Sequence, residues 1–464
     1  MRYLAVDFGS TYTKLTAIDA AKGRVLATAN AFTTISSNVL DGFYVALEHL
    51  RAQLGGDFVH DKLLCCSSAA GGLKMLAIGL VPDLTAKAAR MAAESAGAKV
   101  VRSYAYEISD REQEEIAALA PDIVLLCGGT DGGNKDVIIK NAALLCEVPG
   151  HFSIIAAGNK SAARELDAIF RHSGKRYVIT NNVMPSFGKL EIEAARAAIR
   201  EVFIERIIDA KGLGEVQGMS GHEIVPTPFA VLKACELLSL GTSKSQGLGE
   251  FLAVDVGGAT TDVYSMAREE PSLLNVLVKG LPEPYSKRTV EGDLGMRYSA
   301  PFLLEEAGAE KMARASGTSE EAVCAWVQKC AAKPETLAPQ NSEERAIDEA
   351  LGACAIELAV GRHCGLMEQI YTPMGELFTL SGKELSDLPY VIGIGGVIKN
   401  SENPVKMLQS AVYDMEKGGR MFPKKPDFLL DSNYIFSAMG LVGIFDKELA
   451  LAIMKQEIQA LSEA

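Results

Sequence analysis

The chain has 464 residues, of which 48% are hydrophobic and 23% are charged, values typical of a globular protein. This length predicts about two to four domains. The formal net charge of −13 argues against nucleic acid or an anionic membrane as a main partner. Nine cysteines without metal-ligand spacing favour a reducing compartment, and no apolar run is long enough to span a bilayer. We therefore expect a cytoplasmic protein that binds neither nucleic acid nor membrane.

The first predicted element is a short buried strand, residues 4–6, that leads into Asp7 and a turn rich in glycine and hydroxyl groups. Gly9 lets backbone N–H groups approach an oxyanion closely, and Lys14 can donate to it. A carboxylate such as Asp7 can hold Mg²⁺ through water. The stretch 7–14 therefore predicts a phosphate-binding turn, with an ordinary turn as the alternative. An amphipathic helix is predicted next, over 41–54.

From about residue 61 to 188, strand-like runs alternate with helical patterns, which is typical of a parallel α/β sheet. The predicted strands are 63–66, 100–101, 123–127, 153–156 and 177–179, and the predicted helices are 82–96, 110–120, 134–146 and 160–173. We interpret this region as an inserted α/β domain. The small, Gly-rich loops after its strands could bind a second ligand or a partner, or could be tight turns that need a positive φ.

The chain then returns to longer helices. A helix is predicted over 187–210, with Ser186 as its cap, and a second one begins at Pro226-Thr227-Pro228 and ends at Leu240. A Ser/Gly linker, 243–249, follows.

The stretch Leu252 to Asp262 repeats the first turn. Its opening Leu-Ala-Val-Asp is identical to residues 4–7, and Gly257 matches Gly9. Thr261 likewise matches Thr13. Two such units, far apart in the chain, predict a duplicated domain whose two turns face one cleft and grip the phosphates of a nucleotide from both sides.

A hairpin-like continuation over 263–266 and 273–278 is followed by a mainly helical region, 282–390, with one long helix over 342–371. A buried strand then leads into Gly395-Gly396, and the chain ends in a helix. The predicted domains are the first half of an ATPase (1–60 and 189–248), the insertion (61–188) and the second half (249–464), which contains the helical subdomain at about 282–390.

Three strand-to-glycine turns in this order resemble the actin, sugar-kinase and heat-shock-chaperone ATPase superfamily. Pro226-Thr227-Pro228 also resembles the Pro-Thr helix start that the heat-shock chaperones carry before their second phosphate turn. The resemblance implies an α/β fold made of duplicated actin-like (ribonuclease-H-like) ATPase domains, here with an inserted α/β domain. In that superfamily the first two turns bind the phosphates, and the third passes under the adenosine.

Over nearly its whole length the chain is similar to the accessory protein family of adenosylcobalamin-dependent glutamate (methylaspartate) mutase. The motifs that carry this resemblance are Asp7–Lys14, Ser67–Leu73, Gly128–Gly133, Asn182–Pro185, Val290–Arg297 and Gly393–Gly396. The resemblance implies ATP and Mg²⁺ as cofactors and mutase subunits as partners. It leaves the oligomeric state open, with a homo-oligomer as one option. The Asp-x-His-x-x-Gly cobalamin motif is absent from the sequence.

The resemblance also implies roles for single residues. Asp7 and Asp255 would position Mg²⁺ through its waters, and Asp262 would orient the attacking water or hold the second turn. The phosphate contacts would come from Ser10, Thr11, Thr13 and Lys14 on one side and from Gly257, Gly258, Thr260 and Thr261 on the other. Gly395 and Gly396 would let adenosine approach the backbone.

Two points stay open in the sequence. Glu291 and Asp293 could form a solvated acidic turn or contact the active site. In heat-shock chaperones a Glu that helps hydrolysis precedes the Pro-Thr pair, whereas Val225 stands there in this chain. The carboxylate that activates water is therefore unassigned, and slow turnover is expected.

Three functions are compatible with these patterns. The first is a chaperone-like ATPase that reactivates a cobalamin-dependent mutase by nucleotide-driven release of damaged cobalamin. The second is a small-molecule kinase, which would need an Asp such as Asp255 or Asp262 to deprotonate a hydroxyl or carboxylate acceptor. The third is an actin-like filament, for which no sequence feature argues.

Overall fold

The structure is a computed structural model that describes residues 1–34, 38–68, 74–208, 212–268, 276–372 and 375–461. Its strands are, in chain order, β1 (Arg2–Phe8), β2 (Tyr12–Asp19), β3 (Arg24–Phe32), β4 (Lys62–Ser67), β5 (Lys74–Gly79), β6 (Lys99–Ala105), β7 (Ile123–Leu126), β8 (Ser153–Ala156), β9 (Tyr177–Ile179), β10 (Val225–Pro226), β11 (Phe251–Val256), β12 (Thr261–Met266), β13 (Val276–Lys279), β14 (Ser286–Glu291), β15 (Leu366–Thr372), β16 (Gly375–Ser381), β17 (Tyr390–Ile394), β18 (Asp427–Leu430) and β19 (Gln459–Leu461).

Its α-helices are α1 (Val39–Leu54), α2 (Lys87–Ser95), α3 (Asp110–Leu119), α4 (Asp136–Glu147), α5 (Ala163–Arg171), α6 (Glu193–Ile208), α7 (Leu213–Ser220), α8 (Thr227–Leu240), α9 (Ala300–Ala307), α10 (Ala309–Ser316), α11 (Glu320–Ala332), α12 (Glu343–His363), α13 (Gly396–Lys399), α14 (Pro404–Leu408), α15 (Phe436–Gly443) and α16 (Lys447–Glu457). A π-helical turn (Pro82–Ala86) precedes α2, and short 3₁₀ turns lie at Lys160–Ala162, Gln409–Ala411 and Met415–Lys417.

The first sheet has the strand order β3-β2-β1-β4-β10. β2 is antiparallel to both β1 and β3, whereas β4 runs parallel to β1 and to β10. Helix α1 follows the hairpin strands. It begins at Asn38, whose side chain accepts the N–H of Leu40, and ends at Gly55 in the left-handed conformation, so the sequence provides a cap at each end.

The second sheet repeats this order as β14-β12-β11-β17-β18, with β19 added at its edge. β12 is antiparallel to β11 and β14, and β17 is parallel to β11 and β18. In both sheets the strand that carries the aspartate is therefore central, with a hairpin partner on one side and a parallel strand on the other. This repeated order is that of the ribonuclease-H-like fold, so the predicted duplicated, actin-like α/β fold is confirmed.

One apolar core contains strands of both sheets and the helices α8, α15 and α16. Its buried members include Leu64 and Phe251 from the two sheets, and Leu232 and Met439 from α8 and α15. Gly440 allows α15 to lie against α8, since a Cβ there would be 1.8 Å from the carbonyl oxygen of Ala230. The two carboxylate-bearing strands thus share one packed core, which fixes their relative position.

The chain forms two compact units. The first contains residues 1–71, 210–278 and 284–464, and the second contains 72–209 and 279–283. The second unit has a five-stranded sheet of order β6-β5-β7-β8-β9, in which every pairing is parallel. Its own apolar core includes Ile78, Leu126, Ile154 and Phe170. The predicted inserted α/β fold is confirmed in this unit.

One predicted strand of the insertion was misplaced. The run 63–66 lies in β4, which pairs with β1 in the first sheet. The strand that lies between β6 and β7 in the sheet of the insertion is β5, Lys74–Gly79, which was not predicted from the sequence. A short apolar run carries no information about which sheet it joins, because that depends on pairing with distant strands. The predicted domain boundaries stay predictions.

Three further predicted elements differ from the structure. The run 273–278 is predicted to continue the second hairpin, but the strand that pairs with β12 is β14. β13 instead joins β15 and β16 in a separate sheet. Residues 273–275 lie outside the described residues. The helix predicted over 342–371 ends at His363, and the helix predicted over 187–210 begins at Glu193. The backbone becomes extended at Cys364, and the Gly365 N–H donates to the carbonyl of Lys383 at 2.7 Å instead of to a carbonyl of the helix.

None of the described helices is long and apolar enough to cross a membrane.

Candidate functional site

The two predicted phosphate turns have the same backbone. Asp7 pairs with Lys14 across the first hairpin, and Asp255 pairs with Asp262 across the second. Each turn is closed by a glycine N–H that donates to the carbonyl three residues on, from Gly9 to Tyr12 at 3.2 Å and from Gly257 to Thr260 at 2.9 Å. The sequence repeat is therefore a structural repeat.

The two turns lie against each other. A Cβ added to Gly258 of the second turn would be 2.3 Å from Oγ1 of Thr11 in the first turn, so only glycine fits at this approach. Thr11 is buried, and its Oγ1 has no hydrogen-bond partner among the described residues. A buried hydroxyl without a partner usually marks a site where water or a ligand group binds.

Asp7 has one oxygen fixed and one available. Thr227 Oγ1, at the start of α8, donates to Asp7 Oδ1 at 2.6 Å. Asp7 Oδ2 is buried without a hydrogen-bond partner in the described part of the chain, and Lys14 Nζ lies 4.0 Å from it. The carboxylate is thus held in one orientation with a free oxygen directed away from Thr227.

Asp255 is half-buried, and its hydrogen-bond donor is a tyrosine. Tyr434 Oη donates to its two carboxylate oxygens at 3.3 and 3.4 Å. Burial raises the pKa of Asp255 to about 7, and the negative charges of Asp262 and Asp7 add to this, while Lys14 opposes it. A positive ion beside Asp255 would stabilise its ionised form and lower this pKa.

Lys14 is a cation close to these carboxylates. Its Nζ lies 3.2 Å from the centre of the Tyr434 ring, a cation–π contact, and its side chain is one-quarter exposed. Burial lowers the pKa of Lys14, and the charges of Asp7 and Asp255 act in the opposite direction. Lys14 therefore balances part of the negative charge of the site when no ligand is bound.

Asp262 has a different environment from the other two aspartates. Arg288 contacts its Oδ1 through Nε at 2.8 Å and through a terminal nitrogen at 2.6 Å, and Thr260 Oγ1 donates to Oδ2 at 3.1 Å. Its charge is neutralised within the fold. Of the two predicted roles, this geometry favours holding the second turn over orienting a water molecule.

Thr13 and Thr261, both predicted to contact phosphate, are fully buried. The Thr13 hydroxyl lies 3.0 Å from that of Thr33, and the Thr261 hydroxyl donates to the carbonyl of Leu294 at 2.6 Å. Since both hydroxyls are used inside the fold, the structure favours a packing role for these two residues. Ser10 and Thr260 are half-buried at the turns, where the predicted contacts stay open.

The third glycine turn joins β17 to α13. Gly395 has φ +106°, and a Cβ there would be 2.4 Å from the carbonyl oxygen of Val256, so the turn lies directly beside the strand of Asp255. A Cβ on Gly396 would meet only Asn400, at 4.0 Å. Gly396 therefore borders open space, as a surface for a nucleoside requires.

Sequence reasoning missed two residues of the site, Tyr434 and Asp431. Tyr434 has φ +55°, a conformation that costs a non-glycine residue about 1–3 kcal/mol and is typical of functional sites. Asp431 accepts the N–H groups of Ile435 and Phe436 at 2.9 and 3.1 Å, and burial raises its pKa to about 6. The run 431–436 has no glycine turn or motif, so the sequence carried no signal for it.

Glu291 and Asp293 are held by one arginine. Arg362 donates to Glu291 at 2.8 Å and to both oxygens of Asp293 at 3.0 and 2.8 Å, and it contacts Glu306 at 3.2 Å. The two acidic residues form an ion-pair cluster in which Asp293 is partly exposed, so the solvated turn and the active-site contact both stay predictions.

The Gly-rich loops of the second unit are braced from within. Asn159 accepts the N–H of Gly132 and donates to the carbonyls of Gly133 and Asn134, and Asn182 donates to Gly129 and to Asp131. Gly129 has φ +70°. These contacts favour the tight-turn interpretation of the described loops; residues 69–73 of the first loop lie outside the described residues.

The donor set at the two turns fits a Mg²⁺–nucleotide complex. Mg²⁺ is usually bound by one or two carboxylates, its own waters and substrate phosphates, and not by a cage of protein ligands. The described residues contain no group of three or more His, Cys, Asp or Glu side chains that could hold a metal ion. The free oxygen of Asp7 and the raised pKa of Asp255 each indicate that a cation would be stabilised here.

Three solved structures illustrate how distant the structural relatives are. An activator of 2-hydroxyisocaproyl-CoA dehydratase from Clostridium difficile with bound ADPNP is 10% identical over 100% of each chain, with a TM-score of 0.30. The ethanolamine utilization protein EutJ from Carboxydothermus hydrogenoformans is 12% identical, over 97% of this chain and 89% of that chain, with a TM-score of 0.26. A gluconate kinase from Lactobacillus acidophilus is 10% identical, over 99% of this chain and 92% of that chain, with a TM-score of 0.33.

Sequence comparison is far more specific. A family model described as MutL protein matches residues 3–458. The chain is also 46% identical over 457 residues to Protein MutL of Clostridium tetanomorphum, covering 98% of both chains. The chain therefore belongs to the MutL protein family, which confirms the family resemblance predicted from its motifs.

Proposed function

We propose that this chain binds Mg-ATP between its two phosphate turns and hydrolyses it slowly. The observation that carries this proposal is the approach of the two turns, with Thr11 Oγ1 against Gly258 and with Lys14 near enough to Asp7 and Asp255 for both charges to act on it. Such a pair of opposed turns supplies backbone N–H groups, hydroxyls and a cation for phosphate oxygens.

Asp7 and Asp255 would hold Mg²⁺ through its waters, and the ion would neutralise charge on the phosphates. The protein's own part is orientation. Thr227 fixes Asp7 by a 2.6 Å hydrogen bond, and Tyr434 bonds to Asp255. Lys14 would donate to phosphate oxygens, and Gly396 would lie beneath the adenosine. Val225 is an apolar residue of β10 at the place of the hydrolytic Glu of heat-shock chaperones, which supports slow turnover.

We infer further that the nucleotide drives a chaperone-like cycle on an adenosylcobalamin-dependent mutase, with glutamate mutase as the first candidate. Membership of the MutL family supports this step. ATP and ADP would favour different angles between the two halves of the fold, and a partner bound to both halves would feel that difference. A differential affinity of about 5.5 kcal/mol would switch the partner almost completely, and less would suffice for release of damaged cobalamin.

The test is a reactivation assay. Glutamate mutase holoenzyme that carries damaged cobalamin is mixed with the full chain, Mg-ATP and fresh adenosylcobalamin, and mutase activity is followed with the release of the damaged cofactor. We expect recovery only with ATP. The Asp255→Ala variant should lose ATP turnover and reactivation while keeping its fold.

Asp427→Ala is a matched control, because Asp427 is an exposed aspartate at the start of another strand of the same sheet. It should behave as the parent protein. Unchanged turnover in Asp255→Ala would contradict the two-turn site. Transfer of phosphate to a polyol or a carboxylic acid, with no effect of the mutase on turnover, would establish the kinase alternative instead.

A further inference from the structure

The second phosphate turn is held by the segment Gly292–Ser299, which we call the clamp segment. Its backbone N–H groups donate to the turn: Met296 to Gly257 at 3.0 Å, and Arg297 and Tyr298 to Gly258 at 2.8 and 3.0 Å. In addition, the Ser299 hydroxyl donates to the carbonyl of Ala259 at 2.9 Å. Every residue of the turn from 257 to 259 thus accepts a hydrogen bond from the clamp segment.

The backbones of the clamp segment and the second turn also lie directly against each other. A Cβ on Gly295 would be 2.3 Å from the carbonyl carbon of Ala259, so the clamp segment and the turn are in backbone contact at this point. The turn cannot shift toward the clamp segment, and a shift away from it would break the hydrogen bonds that the clamp segment donates. Movement of the turn therefore has to move the clamp segment.

Arg297 extends this contact into the helices. Its two terminal nitrogens donate to Asp348 of α12 at 3.2 and 2.8 Å, a bidentate ion pair, and its Nε donates to the carbonyl of Thr336 at 3.2 Å. Asp348 also accepts the indole N–H of Trp326, in α11, at 2.7 Å. One residue therefore connects the second turn to two helices through hydrogen bonds of fixed geometry.

This connection is buried. Arg297, Asp348 and Trp326 are 8%, 3% and 3% exposed, and Trp326 packs in the same apolar core as Met296 and Leu351. A buried pair of this kind is not exchanged for water contacts when the turn moves, because leaving either charge alone in the core is strongly unfavourable. We therefore expect the pair to stay intact and to move with the turn.

The first turn has no such connection in the described residues. Its backbone contacts outside the hairpin are Thr33 N–H to the carbonyl of Thr11, at 2.8 Å, and Ser68 N–H to that of Phe8, at 2.8 Å. Both partners are backbone groups near strands of the same sheet, and neither carries a buried ion pair. Asp7 of the first turn also accepts a hydrogen bond from Thr227 of α8, but that donor is a neutral hydroxyl. Among the described residues, anchoring to helices through a buried ion pair is thus a property of the second turn.

We propose that Arg297 is a positioning residue for the nucleotide site, holding the second turn in its phosphate-binding geometry by anchoring it through Asp348 to α11 and α12. This inference rests on the proposed function for the identity of the ligand. By the same contacts, the state of the second turn reaches Trp326, the single tryptophan of the chain. The intrinsic fluorescence of the protein then reports on the turn.

The experiment compares the parent protein with Asp348→Asn and Arg297→Lys. Asp348→Asn removes the charge of the pair, and Arg297→Lys keeps a cation but loses the bidentate geometry. Glu357→Gln is the matched control, since Glu357 is on the same helix and forms an ion pair with Lys311 that does not reach the turn. Circular dichroism and urea unfolding show first that each variant is folded.

The first measurement is amide hydrogen exchange without nucleotide. Exchange in 257–262 and 292–299 should accelerate at least about tenfold in Asp348→Asn and in Arg297→Lys, while exchange in 7–14 and in the Glu357→Gln control should match the parent. Equal acceleration in both turns would indicate general destabilisation and overturn the positioning role. Unchanged exchange in the second turn would overturn it as well.

The second measurement is ADP and Mg-ATP binding, by calorimetry and by Trp326 emission. We expect binding to weaken about tenfold to a hundredfold in the two pair variants, because a small misplacement of a binding group has effects of this size. The emission change on binding should be lost with the pair. Normal affinity together with a normal emission change in Asp348→Asn would overturn the proposal. If the parent protein itself bound no nucleotide, the proposed function would fail, and the exchange result would still decide the positioning role.

Discussion

The two phosphate turns have the same backbone and different surroundings. Each follows a central strand, places an aspartate at the strand end and closes with a glycine N–H bonded to the carbonyl three residues on. The residue opposite the aspartate is Lys14 in the first turn and Asp262 in the second. Lys14 extends toward Asp7 and Tyr434, whereas Asp262 is bonded to Arg288. The first turn therefore contributes a cation to the site, whereas the carboxylate at the equivalent position of the second turn is neutralised within the fold.

This difference shows how two copies of one structural element can take different roles in a binding site. The unpartnered groups of the site, Asp7 Oδ2 and Thr11 Oγ1, lie on the first turn. The contacts from Arg288 and the clamp segment lie on the second turn, and the first turn has the hydrogen bond from Thr227 to Asp7. A binding site needs both free donors and acceptors for the ligand and a support that does not move. The following changes test whether the division is real.

The largest effect is expected from Arg288→Met. Arg288 and Asp262 are both buried, at 3% and 7% exposure, so the variant leaves a buried carboxylate with Thr260 as its remaining partner. The free energy of unfolding should fall by about 3–5 kcal/mol, measured by urea denaturation. The double variant Arg288→Met with Asp262→Leu removes both charges and should recover most of this loss. If the double variant were as unstable as the single one, the ion pair would not be what holds the second turn.

The next effect is a dependence of stability on pH. The pKa of Asp255 is raised to about 7 by burial, and that of Asp431 to about 6, so the folded state keeps protons that the unfolded chain releases near pH 4. Their stabilisation is present at low pH and is lost as the pH rises through 6 to 7. The nucleotide-free protein should lose on the order of 2–4 kcal/mol of unfolding free energy between pH 5 and pH 8.

Asp255→Asn separates this effect from other titrations. Its amide has no proton to lose in this range, so the slope of stability against pH should decrease and the variant should be more stable than the parent at pH 8. Urea unfolding at pH 5, 6, 7 and 8 gives both curves. Identical slopes for the two proteins would show that Asp255 does not titrate in this window.

How much of this could be read from the sequence depends on how local each feature is. The repeat of Leu-Ala-Val-Asp identified both central strands and both site aspartates, because strand, turn and carboxylate are adjacent in the chain. Tyr434 lies 179 residues from Asp255, and Asp348 lies 51 from Arg297; only the packing of distant elements brings them together. The end of α12 was readable in principle, since Gly365 follows two residues after His363, but the apolar spacing beyond it suggested a longer helix.

A smaller effect compares equivalent glycines. A Cβ on Gly9 would be 2.6 Å from the carbonyl oxygen of Tyr12, whereas a Cβ on Gly257 would be 3.0 Å from that of Thr260. Gly9→Ala should therefore cost about 1–3 kcal/mol, because a backbone group has to move, and Gly257→Ala under about 1 kcal/mol. Urea unfolding of the two variants measures the difference. A larger loss in Gly257→Ala would mean that the second turn is the less tolerant of the two.

The smallest effect concerns the two threonines that the sequence predicted at the phosphates. Thr13 and Thr261 occupy equivalent positions and bond to Thr33 and to the carbonyl of Leu294. Thr13→Val and Thr261→Val should each lower the unfolding free energy by about 1 kcal/mol, because a buried hydrogen bond is lost from a site of unchanged shape. Their nucleotide affinity, measured by calorimetry, should stay within about twofold of the parent. Thr11→Val removes an unpartnered hydroxyl where the two turns approach each other. This variant should weaken nucleotide binding without a comparable loss of stability. Thr13→Val or Thr261→Val would weaken binding only if the parent hydroxyl turned from its partner in the fold to the ligand. Weakening as large as that of Thr11→Val would therefore contradict the packing role of Thr13 and Thr261.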